Sequence, residues 1–507
     1  MALGCQDPPR VLYLASELAP WMKTGGLGEV ARTLPESLHA AGVDVRVLVP
    51  GYAPLLEAFA QVRVRCQIAY PAGVYPALRI LETATSTGLP LYIIDCPQFY
   101  VRPGSAYQDT QGADFVDNAQ RFGLLSYVGA MIGSGANPLP WQPNVLHAND
   151  WHCALALAYL RYRLEPRVRT VFTIHNLAFQ GLFPGDTLHA LGLPPDVLQP
   201  NGLEFWGQLS FLKAALLWAD RLLTVSPRYA REIQTPEYGC GLDGLLCARG
   251  EHLVGILNGI DDRAWNPATD EYLIASYDAS CLEAKSINKR ALQGRLGLDP
   301  RADVPLFAVI SRLTHQKGLD LLIEIASAVM ALPSQLVVLG HGEPPLEDTF
   351  CALAANWPGK IATVLGFDEA LAHQIEAGAD AFLMPSRYEP CGLNQMYSLR
   401  YGTPPVVRGT GGLADTVVDA SHVAPGSRGA NGFVFEDFSA NALMRTMARA
   451  VNTYHQPECW QALQRAGMAQ DFGWAAAVDR HRAIYSELAD VTPGGAQTDL
   501  ETASRKA

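Results

Sequence analysis

Short, continuously apolar runs alternate with helix-period segments along almost the whole chain. That alternation constrains the fold more than any other feature. In the first half the runs cover residues 11–15, 43–49, 91–94, 145–146, 170–174 and 222–225; after about residue 300 the series restarts at 306–310, 336–339, 361–365, 381–384, 405–407 and 432–435. A strand that is apolar on every residue is buried on both faces, so it belongs in a parallel sheet with helices above and below. Two such series predict an α/β chain of two Rossmann-like, doubly wound domains. The 507 residues, 49% of them hydrophobic, are enough for two cores.

The changeover falls near residues 254–261, followed by loop-like sequence at 261–267. The expected domains are therefore 1–256 and 257–471. A last helix within 472–490 is expected to return to the first domain, and the small, polar tail 491–507 is expected to be disordered. Ligands of open α/β sheets bind beyond the carboxyl ends of the strands, which places the expected site in a cleft between the two domains.

A net charge of −12 argues against nucleic-acid or anionic-membrane partners. The ten cysteines form no CxxC pair, as expected of a reducing compartment rather than a disulfide framework or zinc site. The first ten residues carry no apolar secretion core, and no segment approaches a membrane span. These features imply a soluble cytoplasmic protein unless a presequence was removed.

In an acidic chain, phosphate binding requires local positive charge. Lys23-Thr24-Gly25-Gly26 follows the first strand and opens a helix, a setting that favours anions, although its spacing is neither a Walker loop nor GxGxxG. Taken alone, a glycine pair at a helix start is more often a tight turn. The strand at 306–310 leads into a loop with Arg312 and Lys317, two cations suited to a diphosphate; a solvated, salt-bridged loop is the equal alternative. The strand at 381–384 ends in Pro385-Ser386-Arg387-Tyr388-Glu389-Pro390-Cys391-Gly392-Leu393, a rigid turn whose carboxylate can grip sugar hydroxyls. Thr410-Gly411-Gly412 opens another helix and mirrors Gly25-Gly26. In the first half, His147, His152 and His175 follow strands beside aromatic residues and suggest a polyhydroxy ligand. A metal reading of His147, Asp150, His152 and His175 is the weaker one, since HxxDxH lacks helical ligand spacing and no cysteine joins it.

Together with Asp117-Asn118-x-x-Arg121-Phe122, Asn149-Asp150-Trp151-His152, His175-Asn176, Asn258-Gly259-Ile260-Asp261 and Trp265-Asn266-Pro267, these motifs resemble bacterial glycogen synthases and plastid starch synthases over about residues 10–490. The resemblance implies a GT-B fold and a hexosyltransferase that moves glucose from ADP-glucose to the non-reducing end of an α-1,4-glucan with retention of configuration. It implies that Lys23, with Gly25 and Gly26, contacts the donor. Arg312 and Lys317 would clamp the diphosphate, and Glu389 with the amides of Cys391, Gly392 and Leu393 would hold the glucosyl hydroxyls. His152 would support the oxocarbenium-like transition state through its carbonyl or ring. Gly366 and Phe367 would border the adenine, while Asn258, Thr410, Gly411 and Gly412 complete the donor set. Glu29, Asp117, Asn118, His175 and Asn176 are acceptor or sugar candidates. No metal and no pyridoxal phosphate is implied, and nothing in the sequence sets the oligomeric state.

Three positions depart from the family pattern. Glu29 stands where Asp is usual. Tyr397 stands where broader retaining glycosyltransferases place the second Glu of an E-x7-E pair, and Asn394 stands where small or hydroxyl residues are common. Alternative readings are a UDP-sugar-dependent GT-B enzyme, an α-glucan phosphorylase, which the short chain and missing pyridoxal-lysine motif disfavour, and a non-catalytic glucan-binding relative.

Overall fold

A computed structural model describes residues 8–59, 61–422 and 429–490; the tail 491–507 lies outside them. The chain divides into two compact units. The first comprises the residues up to Val225, Ala230–Leu257, and those from Trp474 onward; the second comprises Ser226–Tyr229 and Asn258–Gly473.

The strands of the first unit are β1 (Arg10–Leu14), β2 (Asp44–Pro50), β3 (Arg63–Ile68), β4 (Leu78–Ala84), β5 (Pro90–Asp95), β6 (Val145–Asn149), β7 (Arg169–Ile174), β8 (Leu182–Pro184), β9 (Glu204–Phe205), β10 (Gln208–Ser210), β11 (Arg221–Thr224) and β12 (Leu253–Gly255). Nine of them form one sheet in the order β12-β11-β7-β6-β1-β2-β5-β4-β3. From β12 to β5 every pairing is parallel, and β4 and β3 add an antiparallel edge. The strand order reverses at β1, which pairs with β2 on one side and β6 on the other. The helix Gly26–Ala40 carries the chain from β1 to β2, burying Val30, Ala31, Leu34 and Leu38 against the sheet. The helix Ala475–Ala489 also packs in this unit, where the Tyr485 hydroxyl lies 2.7 Å from Nδ1 of His147.

The sequence reading misses the β3 and β4 edge and the small β8-β10-β9 sheet. These strands are polar or alternating, because an edge or surface sheet has a solvated face and lacks the continuous apolar signature. It also ends one strand too early. β6 runs on to Asn149, so His147 lies within the sheet, fully buried, with its ring held by Tyr485 and, at 2.7 Å, by Thr173. His147 is a core residue, and this removes it from the metal reading.

The second unit has one sheet of β13 (Leu306–Leu313), β14 (Gln335–Gly342), β15 (Ile361–Leu365), β16 (Ala381–Met384), β17 (Pro405–Arg408) and β18 (Phe433–Phe435). Its order is β15-β14-β13-β16-β17-β18, all parallel, with the reversal between β13 and β16. Successive residues of β13 feed opposite layers: Phe307 and Val309 join one buried cluster, Leu306 and Ala308 the other. That two-sided burial is why the strand reads as an unbroken apolar run. β13 extends to Leu313, with Arg312 in register with His341, so Arg312 projects from the strand end rather than from the following loop.

Candidate active site

In the second unit the strand order reverses between β13 and β16, the place where open α/β sheets bind ligands. The loops after these strands are bolted together there. Gly318 has φ +64°, and a Cβ on it would lie 2.0 Å from the Pro385 carbonyl oxygen, so only glycine permits the approach. The Arg387 amide donates to the Gln316 carbonyl at 2.9 Å, and its guanidinium grips both Asp320 oxygens at 2.8 and 2.7 Å. This bracing puts Nζ of Lys317 2.6 Å from Oε2 of Glu389, an oxygen that also accepts from the Ser386 hydroxyl at 3.0 Å. Glu389 is only 5% exposed, whereas Arg312 is exposed and makes no ion pair among the described residues.

The loop that follows has an uneven hydrogen-bond ledger. The Glu389 carbonyl accepts from the Gly412 amide at 3.1 Å and the Pro390 carbonyl from the Ser226 hydroxyl at 2.6 Å. The Cys391 and Gly392 carbonyls both accept from Nε2 of Gln395, at 3.1 and 3.0 Å. Four successive carbonyls are thus turned into the protein. The amides of Cys391, Gly392 and Leu393 find no acceptor among the described residues. They lie at the start of the helix Asn394–Arg400, whose N-cap is Leu393, so three donors remain available at its N-terminal end, an arrangement that suits sugar hydroxyls or phosphate oxygens.

Gly411 and Gly412 serve this loop. Gly411 has φ +45°, and a Cβ there would lie 1.8 Å from the Glu389 carbonyl oxygen; one on Gly412 would lie 2.0 Å from that of Cys391. Gly412, expected in the donor set, has its amide already bonded to the Glu389 carbonyl. Asn258 donates its amide to the Cys391 sulfur, whose thiol burial pushes up to about 12. Asn394 donates to the Ile310 carbonyl at 2.6 Å, which ties the helix to β13. Gly366 leaves β15 with φ +110°, followed by Phe367, 70% exposed beside the 44% exposed Leu365, an apolar ledge at the strand end. Thr410 is buried at the cap of the helix Gly411–Thr416.

In the first unit the corresponding reversal lies at β1 and β6. Lys23 pairs with Glu29 at 2.6 Å, and Glu29 also faces Arg32 at 3.5 Å. A Cβ on Gly25 would meet nothing within 4 Å, so its loop surface is open; Gly26 beside it is exposed. Beneath lies Glu17, which sequence reading passed over. It accepts from the Thr24 amide at 2.7 Å and from the Tyr107 hydroxyl, and burial raises its pKa. The sequence signal was a lone carboxylate two residues beyond an apolar strand. The Tyr107 ring stacks on His152 with centroids 4.7 Å apart.

The His152 carbonyl accepts from the Ser126 hydroxyl at 3.1 Å, while its buried Nδ1 has no partner among the described residues and burial lowers the ring's pKa well below the usual value, keeping it neutral. Of the two groups expected to act at His152, the ring is the uncommitted one. Asp150, with φ +53°, is a strained residue of the kind found at functional sites. Its Oδ1 accepts from the His175 and Asn176 amides at 2.9 and 3.4 Å, and burial pushes its carboxyl up to about 7. Nε2 of His175 contacts Oδ1 of Asn149 at 2.9 Å, and burial lowers His175 to about 3. Asp117 is paired with Arg102 through two 2.9 Å contacts. Asn118 donates to the Tyr107 carbonyl at 2.9 Å and accepts from Arg121 at 2.6 Å. These last two residues shape the loop that carries Tyr107. Among the described residues, no group of three or more His, Cys, Asp or Glu is arranged to hold a metal.

Two doubly wound units with loops of this kind at their strand ends define a GT-B glycosyltransferase. Residues 10–248 match the starch synthase catalytic domain family, and 297–464 match glycosyl transferases group 1. The chain is 51% identical to the glycogen synthase of Dechloromonas aromatica (strain RCB), over 94% of this chain and 98% of that one. It is 47% identical to glycogen synthase 1 of Methylococcus capsulatus, over 98% and 100%. Its fold matches the catalytic domain of starch synthase IV from Arabidopsis thaliana bound to ADP and acarbose, with TM-score 0.86, 31% identity, and coverage of 96% and 100%. Sucrose-phosphate synthase from Thermosynechococcus elongatus, 17% identical with TM-score 0.58 over 95% and 99%, shares the fold. The chain belongs to the glycogen synthase family.

Proposed function

We propose that the protein is a glycogen or starch synthase that transfers glucose from ADP-glucose to the non-reducing end of an α-1,4-glucan, with retention and release of ADP. The observation that carries this reading is the loop of residues 389–393: three amides with no acceptor among the described residues, four carbonyls that each accept a hydrogen bond, and a buried carboxylate paired with Lys317. The ADP and acarbose held by the Arabidopsis relative support a nucleoside diphosphate and a glucan as ligands.

In this reaction the bond between glucosyl C1 and the diphosphate oxygen breaks and a bond to the acceptor 4-oxygen forms. The leaving ADP gains negative charge, and stabilising such charge is the largest catalytic term in reactions of this type. Lys317 and Arg312 supply the positive charge, so the reading needs neither a metal nor pyridoxal phosphate. The amides of Cys391, Gly392 and Leu393, with Glu389, hold the glucosyl hydroxyls. Phe367 and Gly366 border the adenine, Lys23 contacts the donor, and the neutral His152 ring supports the glucosyl cation. We favour attack from the face of the departing phosphate, the acceptor proton passing to the leaving oxygen; trapping a covalent glucosyl-protein adduct would overturn that route. The nine free cysteines of the described residues fit a reducing, cytoplasmic location.

The test is a side-by-side assay of ADP-glucose and UDP-glucose on glycogen, with nucleotide release and chain extension both measured. Extension from ADP-glucose alone is expected. A preference for UDP-glucose would replace the donor assignment, and glucan binding without nucleotide release would make the protein a non-catalytic relative.

A further inference from the structure

The segment of the second unit that starts at the donor-set residue Asn258 is fastened to the loop of residues 389–393 and to the helix that follows it. At its start, the Asn258 amide is bonded to the Cys391 sulfur. Seven residues on, the Trp265 indole is clamped between two rings. His373 lies on one side with centroids 3.8 Å apart and planes 9° from parallel, and Tyr397 on the other at 3.9 Å and 13°. Five residues further, the buried Asp270 accepts from the His373 ring at 2.8 Å and from the Tyr401 hydroxyl at 2.6 Å. Burial would raise the Asp270 carboxyl, but these bonds more than offset it and leave its pKa below the usual value. His373 is therefore fixed in orientation by a charged partner, and it fixes Trp265.

Tyr397 is the sensitive contact. It lies on the helix Asn394–Arg400, its amide donates to the Leu393 carbonyl at 3.0 Å, and Leu393, the N-cap of that helix, is the last of the three residues whose amides have no acceptor among the described residues. Tyr397 thus joins the stack to the helix that follows the loop. At the position of the second carboxylate of the E-x7-E pattern, this tyrosine is 7% exposed and packs its ring on an indole face.

We propose that Trp265 and His373 are positioning residues for the donor loop: the stack of His373, Trp265 and Tyr397 holds the helix Asn394–Arg400, and thereby the amides of Cys391, Gly392 and Leu393, in the geometry that binds the glucosyl group. The kinetic consequence rests on the glucosyl-transfer reading above. The mechanical consequence does not.

Two measurements on full-length protein test the proposal. In the first, hydrogen exchange is followed in Trp265→Leu, Trp265→Phe and a core control, Met447→Ala, which lies in the opposite layer of the same unit. Exchange in peptides spanning residues 389–401 should quicken at least tenfold in Trp265→Leu. It should return towards wild type in Trp265→Phe, and β14 peptides should stay unchanged. In the second, KM for ADP-glucose should rise about tenfold in Trp265→Leu while half-saturation by glycogen holds, with Phe restoring most of the loss. A purely structural role would let Met447→Ala, at equal loss of melting temperature, move KM as much. Unchanged exchange at 389–401 overturns the brace, whatever the donor. Quickened exchange with unchanged KM in an active enzyme overturns its positioning role. A wild-type protein inactive on ADP-glucose removes the functional reading, and the exchange experiment still decides the brace.

Discussion

Replacing Lys317 with Met keeps the side-chain stem and removes the charge from a pair whose partners are 17% and 6% exposed and 2.6 Å apart. At an effective dielectric near 20, the gross attraction at that distance is about 6 kcal/mol, most of it offset by desolvation of the two ions. The variant leaves the more deeply buried partner, Glu389, with the Ser386 hydroxyl as its remaining side-chain donor. Stranding a buried charge in this way costs about 3–5 kcal/mol. Glu389→Gln is expected to cost less, because Lys317 is the more exposed partner and can turn towards water. The double variant Lys317→Met/Glu389→Gln contains no stranded charge and should be no less stable than Lys317→Met alone. The coupling between the two changes should then be at least the whole cost of Glu389→Gln alone, outside the additivity within about 0.5 kcal/mol expected of independent sites. Urea unfolding of the four proteins, followed by circular dichroism, measures it. A Lys317→Met midpoint equal to wild type, or two effects that simply add, would refute the idea that this pair is a buried, mutually dependent unit.

Gly411→Ala should destabilise the second unit and abolish turnover, since its Cβ would collide with the Glu389 carbonyl, whereas Gly25→Ala meets open space and should fold normally; thermal melts of both decide it. Arg312→Ala should keep the wild-type melting temperature, as an exposed side chain without an ion pair among the described residues, yet lower kcat/KM for the donor about a hundredfold. Acid should weaken the first unit early. Burial holds His147, His152, His175 and His481 neutral, with folded pKa values below 6.5, so the stability they contribute is present above pH 6.5 and lost as pH falls below it. Asp150, raised by burial to about 7, acts in the opposite direction over the same range, and the raised Glu17 carboxyl has the same sign. The four histidines outnumber the two carboxyls, so the unit should lose stability as pH falls from 6.5 to 5. Stability that is flat across that window would show that these histidines are charged in the fold.

The sheet strands buried on both faces were legible in the sequence because double-sided burial leaves an unbroken apolar run, as at β1 and β13. The motifs at the strand ends were legible because glycine, proline and charge punctuate those runs. What stayed hidden depends on partners distant in the chain. Ser226 acts on the donor loop from 164 residues away through its bond to Pro390. Glu17 gains its environment from Tyr107, 90 residues on. Gln395 looks like any first-turn glutamine until two carbonyls converge on it, and Trp265 reads as a loop aromatic until its two stacking rings arrive from residues 373 and 397. Strand ends were misjudged where polar residues continue a parallel ladder, which is how Arg312 and His147 came to be read as loop residues.

The most direct measurement is the release of ADP from ADP-glucose in the presence of glycogen, compared between wild type and a folded Glu389→Ala variant. Wild type should release one ADP for each glucose added to the glucan, and Glu389→Ala should fall by orders of magnitude with its fold intact. Wild-type-like turnover in Glu389→Ala, or no ADP release by the wild type, would contradict a glucosyl-transfer site built on this loop.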